Sequence, residues 1–303
     1  MSLPLIEKYR PKDFSEVIGV KDLVTLKTII EKPMEMPNLL FFGPPGTGKT
    51  TCAKIIIDML KPIDVLRING SDTTGVDTIR ETVYNFITSK SSVGGKPKLI
   101  WIEEFDYMSA NAFAALRAMM EQYVRNGRFL CTCNYLHKIP EPIQSRFTLI
   151  EFTAPDKNEL INRLKFIVEK EDIKTTDLIL TMIADISKGD IRTSINTLQR
   201  LSSNPDKKIT MMELKELELI SQEVYKLIRA KEWSKIRYEI PNRHPDYDKL
   251  LVDLEDMFFK SDLPVKTKAE ITEIISTGQM EMSLSFDPNI CFAAIASRIM
   301  KVL

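Results

Sequence analysis

Cysteine is scarce in this sequence: Cys52, Cys131, Cys133 and Cys291 are the four in 303 residues. That is too few for a disulfide scaffold, and all four sit in apolar stretches, as expected of reduced thiols in a cytosolic or nuclear protein. Cys131-Thr-Cys133 lacks the spacing of common zinc and redox motifs, so both read as strand residues. Net charge is missing too. The 42 Lys and Arg balance 42 Asp and Glu, which argues against a protein that coats nucleic acid by bulk charge but leaves room for a local basic face. The most apolar C-terminal run, Ile290 to Ile299, is too short and interrupted to span a bilayer. No apolar segment follows a basic N-terminus, so no secretory signal is expected. There is no internal repeat or low-complexity stretch. The 44% apolar and 28% charged residues are ordinary for a folded globular chain. This length allows two or three domains at roughly 100–200 residues each.

Regular alternation fills the first half. Asn38 to Phe42, Val65 to Ile68, Leu99 to Ile102, Phe129 to Cys133 and Leu149 to Phe152 are short apolar runs that read as buried strands. Between them, Thr50 to Leu60, Val76 to Lys90 and Ala110 to Val124 have helical spacing. Strands alternating with helices predict an α/β fold, a parallel sheet covered on both faces. After Pro155 the strand signals stop. Lys157 to Glu171, Thr176 to Ser187, Ile191 to Leu201 and Met211 to Ile220 read as helices, with a break at Ser202 to Pro205, and the rest stays helical. The expected division is an α/β domain at 1–154, a small helical domain at 155–220 and an all-α domain at 221–303.

One motif carries chemistry. Gly43-Pro44-Pro45-Gly46-Thr47-Gly48-Lys49-Thr50 matches G-x-x-x-x-G-K-[ST], with a buried strand before it and a helix, opening through Thr51, after it. The glycines let backbone N–H groups turn inward toward phosphate oxygens, and the helix N-terminus adds partial positive charge. Lys49 would reach the β- and γ-phosphates of ATP, and Thr50 would offer its hydroxyl to Mg²⁺. Such a site needs acids, and Glu103 and Glu104 stand at the end of the Leu99–Ile102 strand run. Glu103 would lie nearest Mg²⁺ and Glu104 would orient or deprotonate the water. Asp106 fits a metal-site role and a helix cap equally.

A longer set of residues occurs in one order: Glu7-Lys-Tyr9-Arg10-Pro11, Gly43 to Thr50, Asn69-Gly-Ser-Asp72, Glu103-Glu-Phe-Asp106, Asn134, Pro142-Ile-Gln-Ser145-Arg146 and Gly189-Asp190-Ile-Arg192. This set resembles the small ATPase subunits of sliding-clamp loaders (replication factor C small subunits and their T4-like phage counterparts) within the AAA+ ATPases. The likeness is specific over about residues 5–200. It implies an AAA+ domain, a helical lid and a helical collar that joins subunits in a ring. It implies that Tyr9, Arg10 and Pro11, with Val17, Ile18 and Gly19, flank adenine and ribose. Asn134 would be a sensor near the γ-phosphate or the water, and Arg192 a second sensor from the lid. Arg146 would be a finger on ATP held by the neighbouring subunit.

The resemblance also marks departures. The first acid of the Glu103-Glu104 pair is usually Asp, one methylene shorter. Thr74 stands where a basic residue is common, Phe113 where Gln usually precedes Arg117 by four, and Phe147 where Cys follows the finger. They suggest a divergent member, of viral kind.

The implied partners are companion subunits, a sliding clamp and primer–template DNA gripped by its backbone, which carries no base specificity. Thr74, Gly75, Arg80 and Asn111, at helix starts, are the DNA candidates, and Met119, Met120 and Tyr123 are the clamp candidates, although a Met and aromatic set at helical spacing is more often core. The expected function is an ATPase that opens and places the clamp in DNA replication, inside the cell, in cytoplasm or nucleus. Two other readings stay open: another AAA+ DNA-remodelling machine, such as a helicase loader or branch-migration motor, and a loader subunit that binds ATP without hydrolysing it.

Overall fold

A computed structural model of the chain describes residues 3–20, 26–28, 35–72, 76–93, 97–204, 206–243 and 247–303. The expected DNA residues Thr74 and Gly75 lie outside them. The chain divides into two compact units, Met1–Ile209 and Thr210–Leu303.

The first unit holds a five-stranded sheet in the order β2-β3-β4-β1-β5, with every pair parallel. Its strands are β1 (Leu39–Phe42), β2 (Val65–Asn69), β3 (Lys98–Glu103), β4 (Gly127–Cys133) and β5 (Thr148–Glu151). A short α1 (Leu5–Lys8) precedes the sheet, and α2 (Lys49–Leu60), α3 (Val76–Thr88), α4 (Ala110–Gln122) and α5 (Glu141–Gln144) link the strands. Successive strand residues face opposite sides, and the two cores follow this alternation. Leu99, Trp101, Leu130 and Phe41 pack with Cys52, Ile56 and Leu60 of α2. Ile100, Ile102, Phe129 and Cys131 pack with Val83 and Ile87 of α3 and Leu116 of α4. Cys131 and Cys133 are strand residues, and burial pushes the Cys133 thiol up to about 12.

The order of the strands decides where a ligand can bind. β1 lies between β4 and β5, so the chain leaves β1 toward one edge and returns past it to β5. Parallel sheets open a crevice at such a switch point, outside the carboxyl ends of the strands. The loops after β1, β3 and β4 all end there.

Three helices complete this unit: α6 (Lys157–Glu171), α7 (Asp177–Ile186) and α8 (Ile191–Leu201). Asp156 and Glu159 close a capping box on α6, and Asp190 caps α8 by accepting from Thr193 N–H at 2.9 Å. These helices pack on their own apolar faces, through residues such as Leu160, Leu164, Leu180, Ile183 and Leu198.

The second unit is helical: α9 (Met211–Arg229), α10 (Trp233–Tyr238), α11 (Tyr247–Lys260), α12 (Val265–Leu284) and α13 (Pro288–Val302). The helix expected to stop at Ile220 runs on to Arg229, and the 220/221 border falls inside it. No Pro or Gly interrupts Ser221 to Arg229, and Val224 and Ile228 supply a buried face four residues apart. Gly278 lets α12 approach α13 closely, because a Cβ there would meet Ile295 Cδ1 at 2.7 Å. No helix among the described residues is long and apolar enough to cross a membrane.

Candidate nucleotide site

The Gly43–Thr50 loop turns sharply because three of its glycines hold left-handed backbone, with φ of 139° at Gly43, 74° at Gly46 and 96° at Gly48. Side chains rarely adopt such angles. Close approaches fix them further: a Cβ at Gly43 would strike the Phe152 carbonyl, and one at Gly46 the Asp190 carboxylate. The α8 cap therefore sits directly on the loop. Lys49 begins α2 and is buried, its Nζ donating to the carbonyls of Gly43 and Pro44 at 2.7 Å each. Burial holds this ammonium down at about 8. A cation kept on carbonyl oxygens by a dry loop is poised for a stronger anionic partner.

The loop opens into a cavity of about 360 Å³, the scale of a small-molecule site. Pro45 to Thr51 form its floor, Glu103, Glu104 and Asn134 stand at the strand ends, and Arg192 comes from α8. Tyr9, Arg10, Pro11, Val17 and Ile18 form the remaining wall. Gly43 and Pro44 act through their carbonyls, outside the lining. Thus the strand-end, loop, lid and N-terminal residues expected at one site converge on one cavity, although 183 positions separate Tyr9 from Arg192.

Glu104 is exposed and has a left-handed backbone, φ 52° and ψ 45°, uncommon for a residue with a side chain. Such strain is typical of residues placed for chemistry. It also brings the Glu104 carbonyl so close to Gly70 that no Cβ would fit there. Asp106 is buried, and its Oδ2 accepts from the backbone N–H groups of Asn134 at 3.3 Å and Tyr135 at 3.0 Å. It ties the ends of β3 and β4 together and so fixes the backbone at Asn134.

Several site residues gave no local signal in the sequence. Arg67 on β2 lines the cavity and donates from Nε to Glu103 Oε2 at 2.6 Å. Arg163 on α6 donates to the Tyr9 carbonyl at 2.6 Å and pairs with Glu16 at 3.7 Å. Tyr9 Oη donates to Glu171 at 2.7 Å, and Lys8 pairs with the same carboxylate. These two donors, Lys8 foremost, hold the Glu171 carboxyl below its usual range. Leu5 N–H donates to Gln199 Oε1 at 2.7 Å. The N-terminal arm is thus fastened to the lid helices, α6 and α8, at the wall of the cavity.

Other expected residues lie elsewhere. Arg146 is outside the cavity, ion-paired with Glu121, which also meets Arg117 Nε at 3.4 Å. Those two arginines, Arg146 foremost, hold the Glu121 carboxyl low. Arg80 and Asn111 are exposed at helix starts, outside the cavity. Met119 and Met120 are each 5% exposed and belong to the core between α4 and the sheet. Their helical spacing faces inward, so they offer no surface to a clamp; Tyr123 is half-buried against Tyr84. Phe113 and Phe147, two of the departures, both pack edge-on against Phe105, with ring centroids 5.1 and 5.8 Å away. They share one aromatic cluster, and Phe113 makes no polar link.

Residues 39–154 match the family described as ATPase family associated with various cellular activities (AAA). Residues 162–202 match the RCF1/5-like AAA+ ATPase lid domain. The chain is 41% identical over 209 residues to replication factor C small subunit 2 of Pyrobaculum islandicum, 67% of this chain and 65% of that protein. It is 40% identical over 197 residues to the replication factor C small subunit of Staphylothermus marinus, 64% of this chain and 60% of that protein. The match thus spans less than two thirds of the length of these two relatives. The probable replication factor C subunit 5 of Caenorhabditis elegans is 35% identical over 309 residues, 94% of this chain and 83% of that protein. Among solved structures, a point variant of Thermotoga maritima RuvB aligns over 93% of this chain and 90% of its own with a TM-score of 0.60. At 20% identity this is a likeness of fold alone.

Proposed function

The chain belongs to the replication factor C subunit family of AAA+ ATPases, and from that premise we propose that it is an ATPase subunit of a sliding-clamp loader in DNA replication. The observation that carries the reading is the convergence of loop, strand-end acids, lid arginine and N-terminal arm on one cavity. Adenine and ribose lie against Tyr9 to Pro11, Val17 and Ile18. The phosphates take the loop N–H groups and Lys49, whose ammonium leaves the Gly43 and Pro44 carbonyls for them.

Mg²⁺ fits the donors present. Thr50 and Glu103 are hard oxygen ligands beside the loop, and no cluster of three or more His, Cys, Asp or Glu among the described residues makes a separate cage. That is the pattern for a cation held mainly through nucleotide phosphates. When bound, the ion neutralises charge on the phosphate oxygens. Glu104 accepts the proton of the attacking water, Asn134 orients that water, and Arg192 meets the γ-phosphate from the lid.

Arg146 lies away from its own cavity, held by Glu121, and would serve a neighbour's site once it leaves that carboxylate. A guanidinium there offsets charge that builds in the transition state. The active site is therefore completed between subunits, and the second unit serves as the collar. Its exposed Tyr238, Phe259 and Phe286 suit contact with companion chains. Arg80 and Asn111 suit DNA phosphate, one or two contacts per subunit, summed over the ring. The protein acts inside the cell, in cytoplasm or nucleus.

The test is steady-state ATP hydrolysis by the purified chain, alone and with primed DNA, a sliding clamp and companion subunits. The expected result is low turnover alone and strong stimulation in the mixture, lost in Arg146→Ala. Tight ATP binding without turnover in the full mixture would instead mark a scaffold subunit, a reading favoured by the Arg67 guanidinium on Glu103.

A further inference from the structure

Arg67 stands on β2, the edge strand beside β3. In the parallel register Arg67 faces Trp101, and Asn69 faces Glu103. Trp101 and Glu103 are two residues apart on one strand, so they point to one face. That face is shared with α2, which follows the phosphate loop. Arg67 lies over the Trp101 ring, its guanidinium carbon 4.7 Å from the centroid. From there it reaches along the sheet edge to Glu103. Nε donates to Oε2 at 2.6 Å, and Nη2 pairs with the same oxygen. The Glu103 side chain is 13% exposed, so this pair is largely shielded on the acid's side. Glu carries its carboxylate one methylene farther from the strand than Asp would.

We propose that Arg67 is a positioning residue that clamps the Glu103 carboxylate and weakens the hold of the nucleotide site on a divalent cation. The inference rests on the reading of the cavity as an Mg²⁺-nucleotide site. A carboxylate already shared with a guanidinium has less charge to give a cation. A fixed positive charge a few ångströms away also repels the cation directly. The same guanidinium lines the cavity and attracts the nucleotide's phosphates. One residue thus acts with opposite signs on the two parts of the ligand.

The experiment measures binding of a fluorescent ADP analogue to the full chain, first in EDTA and then across an Mg²⁺ titration. In Arg67→Met, the Mg²⁺ concentration for half-maximal effect should fall about tenfold, the scale for one charge beside a divalent ion in a solvated cleft. Affinity in EDTA should fall by no more than about threefold, consistent with a partly exposed charge. Glu103→Asp, one methylene shorter, should shift the Mg²⁺ curve in the same direction. The double variant should add little to Arg67→Met, which already breaks the contact, and should exceed Glu103→Asp by the direct repulsion that only loss of the guanidinium removes. Arg67→Lys should stay near wild type on the Mg²⁺ axis. A structural role alone would weaken both measurements together. Normal binding in EDTA with an unmoved or worsened Mg²⁺ curve in Arg67→Met overturns the clamp while leaving the nucleotide site standing. No binding by wild type under either condition overturns both.

Discussion

Where the phosphate loop meets the sheet, the first unit buries polar and charged groups: Thr47, Lys49 and Asp106 are each under 9% exposed. In the second unit Ser221 is the one buried polar side chain among the described residues, hydrogen-bonded to Asp253 at 3.0 Å. Its interior is Leu251, Leu254, Phe258, Phe292, Ile295 and Ile299. Its large exposed apolar groups, such as Phe259 and Phe286, lie on the surface. The first region buries polar groups on backbone partners around the phosphate loop, Lys49 on the Gly43 and Pro44 carbonyls and Asp106 on the Asn134 and Tyr135 N–H groups. The second is built by packing, with large apolar groups such as Phe259 and Phe286 left exposed. Ligand chemistry and stability should therefore respond to different substitutions.

Arg146→Ala should break the first region most severely, lowering turnover in the full mixture by about 10³-fold, the low end for such fingers. ADP binding by the isolated chain should not change. Mixing Arg146→Ala with Glu104→Gln chains should restore part of the turnover, because an interface can then pair an intact acid with an intact finger. Failure of that complementation would place Arg146 outside a neighbour's site.

Phe258→Ala tests the other side of the comparison. It removes a fully buried ring from the helical core and should cost about 3–5 kcal/mol in chemical denaturation. Nucleotide affinity, measured where the variant is folded, should stay within about twofold, because Phe258 packs in a core that shares no residue with the cavity lining.

A pH series sharpens the role of Lys49. Burial lowers its ammonium to about 8 in the free protein, and phosphate contact raises it. Nucleotide affinity should be complete below pH 8 and decline above it. The decline is up to about tenfold per pH unit until the bound-state value is passed. A flat profile from pH 7 to 9.5 would show that Lys49 stays charged before binding. The same lowered value acts against folding at neutral pH, and that cost fades as pH rises from 8 toward the unfolded value.

Glu121→Gln should have the smallest effect. It releases Arg146 and should lower the subunit concentration for half-maximal turnover by roughly two- to fivefold, the scale of an exposed pair. A rise in that concentration would mean that Glu121 positions the finger rather than competes for it.

Much of this was legible in the sequence. The five strands and the Gly43–Thr50 loop were, because buried parallel strands are apolar runs and a phosphate loop needs glycines at fixed spacing. The course of α9 past Ile220 was less so, since nothing in the chain marked an end there and the buried partners of Val224 and Ile228 lie far along it. Met119 and Met120 show the opposite difficulty: helical spacing tells that a face is apolar, not what covers it.

Local backbone geometry explains what the sequence determined by itself. Glycines at 43, 46 and 48 permit left-handed turns, a helix beginning at Lys49 presents N–H groups, and Glu103 and Glu104 stand at the end of a strand; each depends on neighbours a few positions away. The pairs Arg67–Glu103, Arg146–Glu121, Arg163–Tyr9 and Glu171–Tyr9 join residues 36, 25, 154 and 162 positions apart. Only tertiary structure decided those, because a charged side chain can choose a partner only after strand order and lid packing have brought one within a few ångströms.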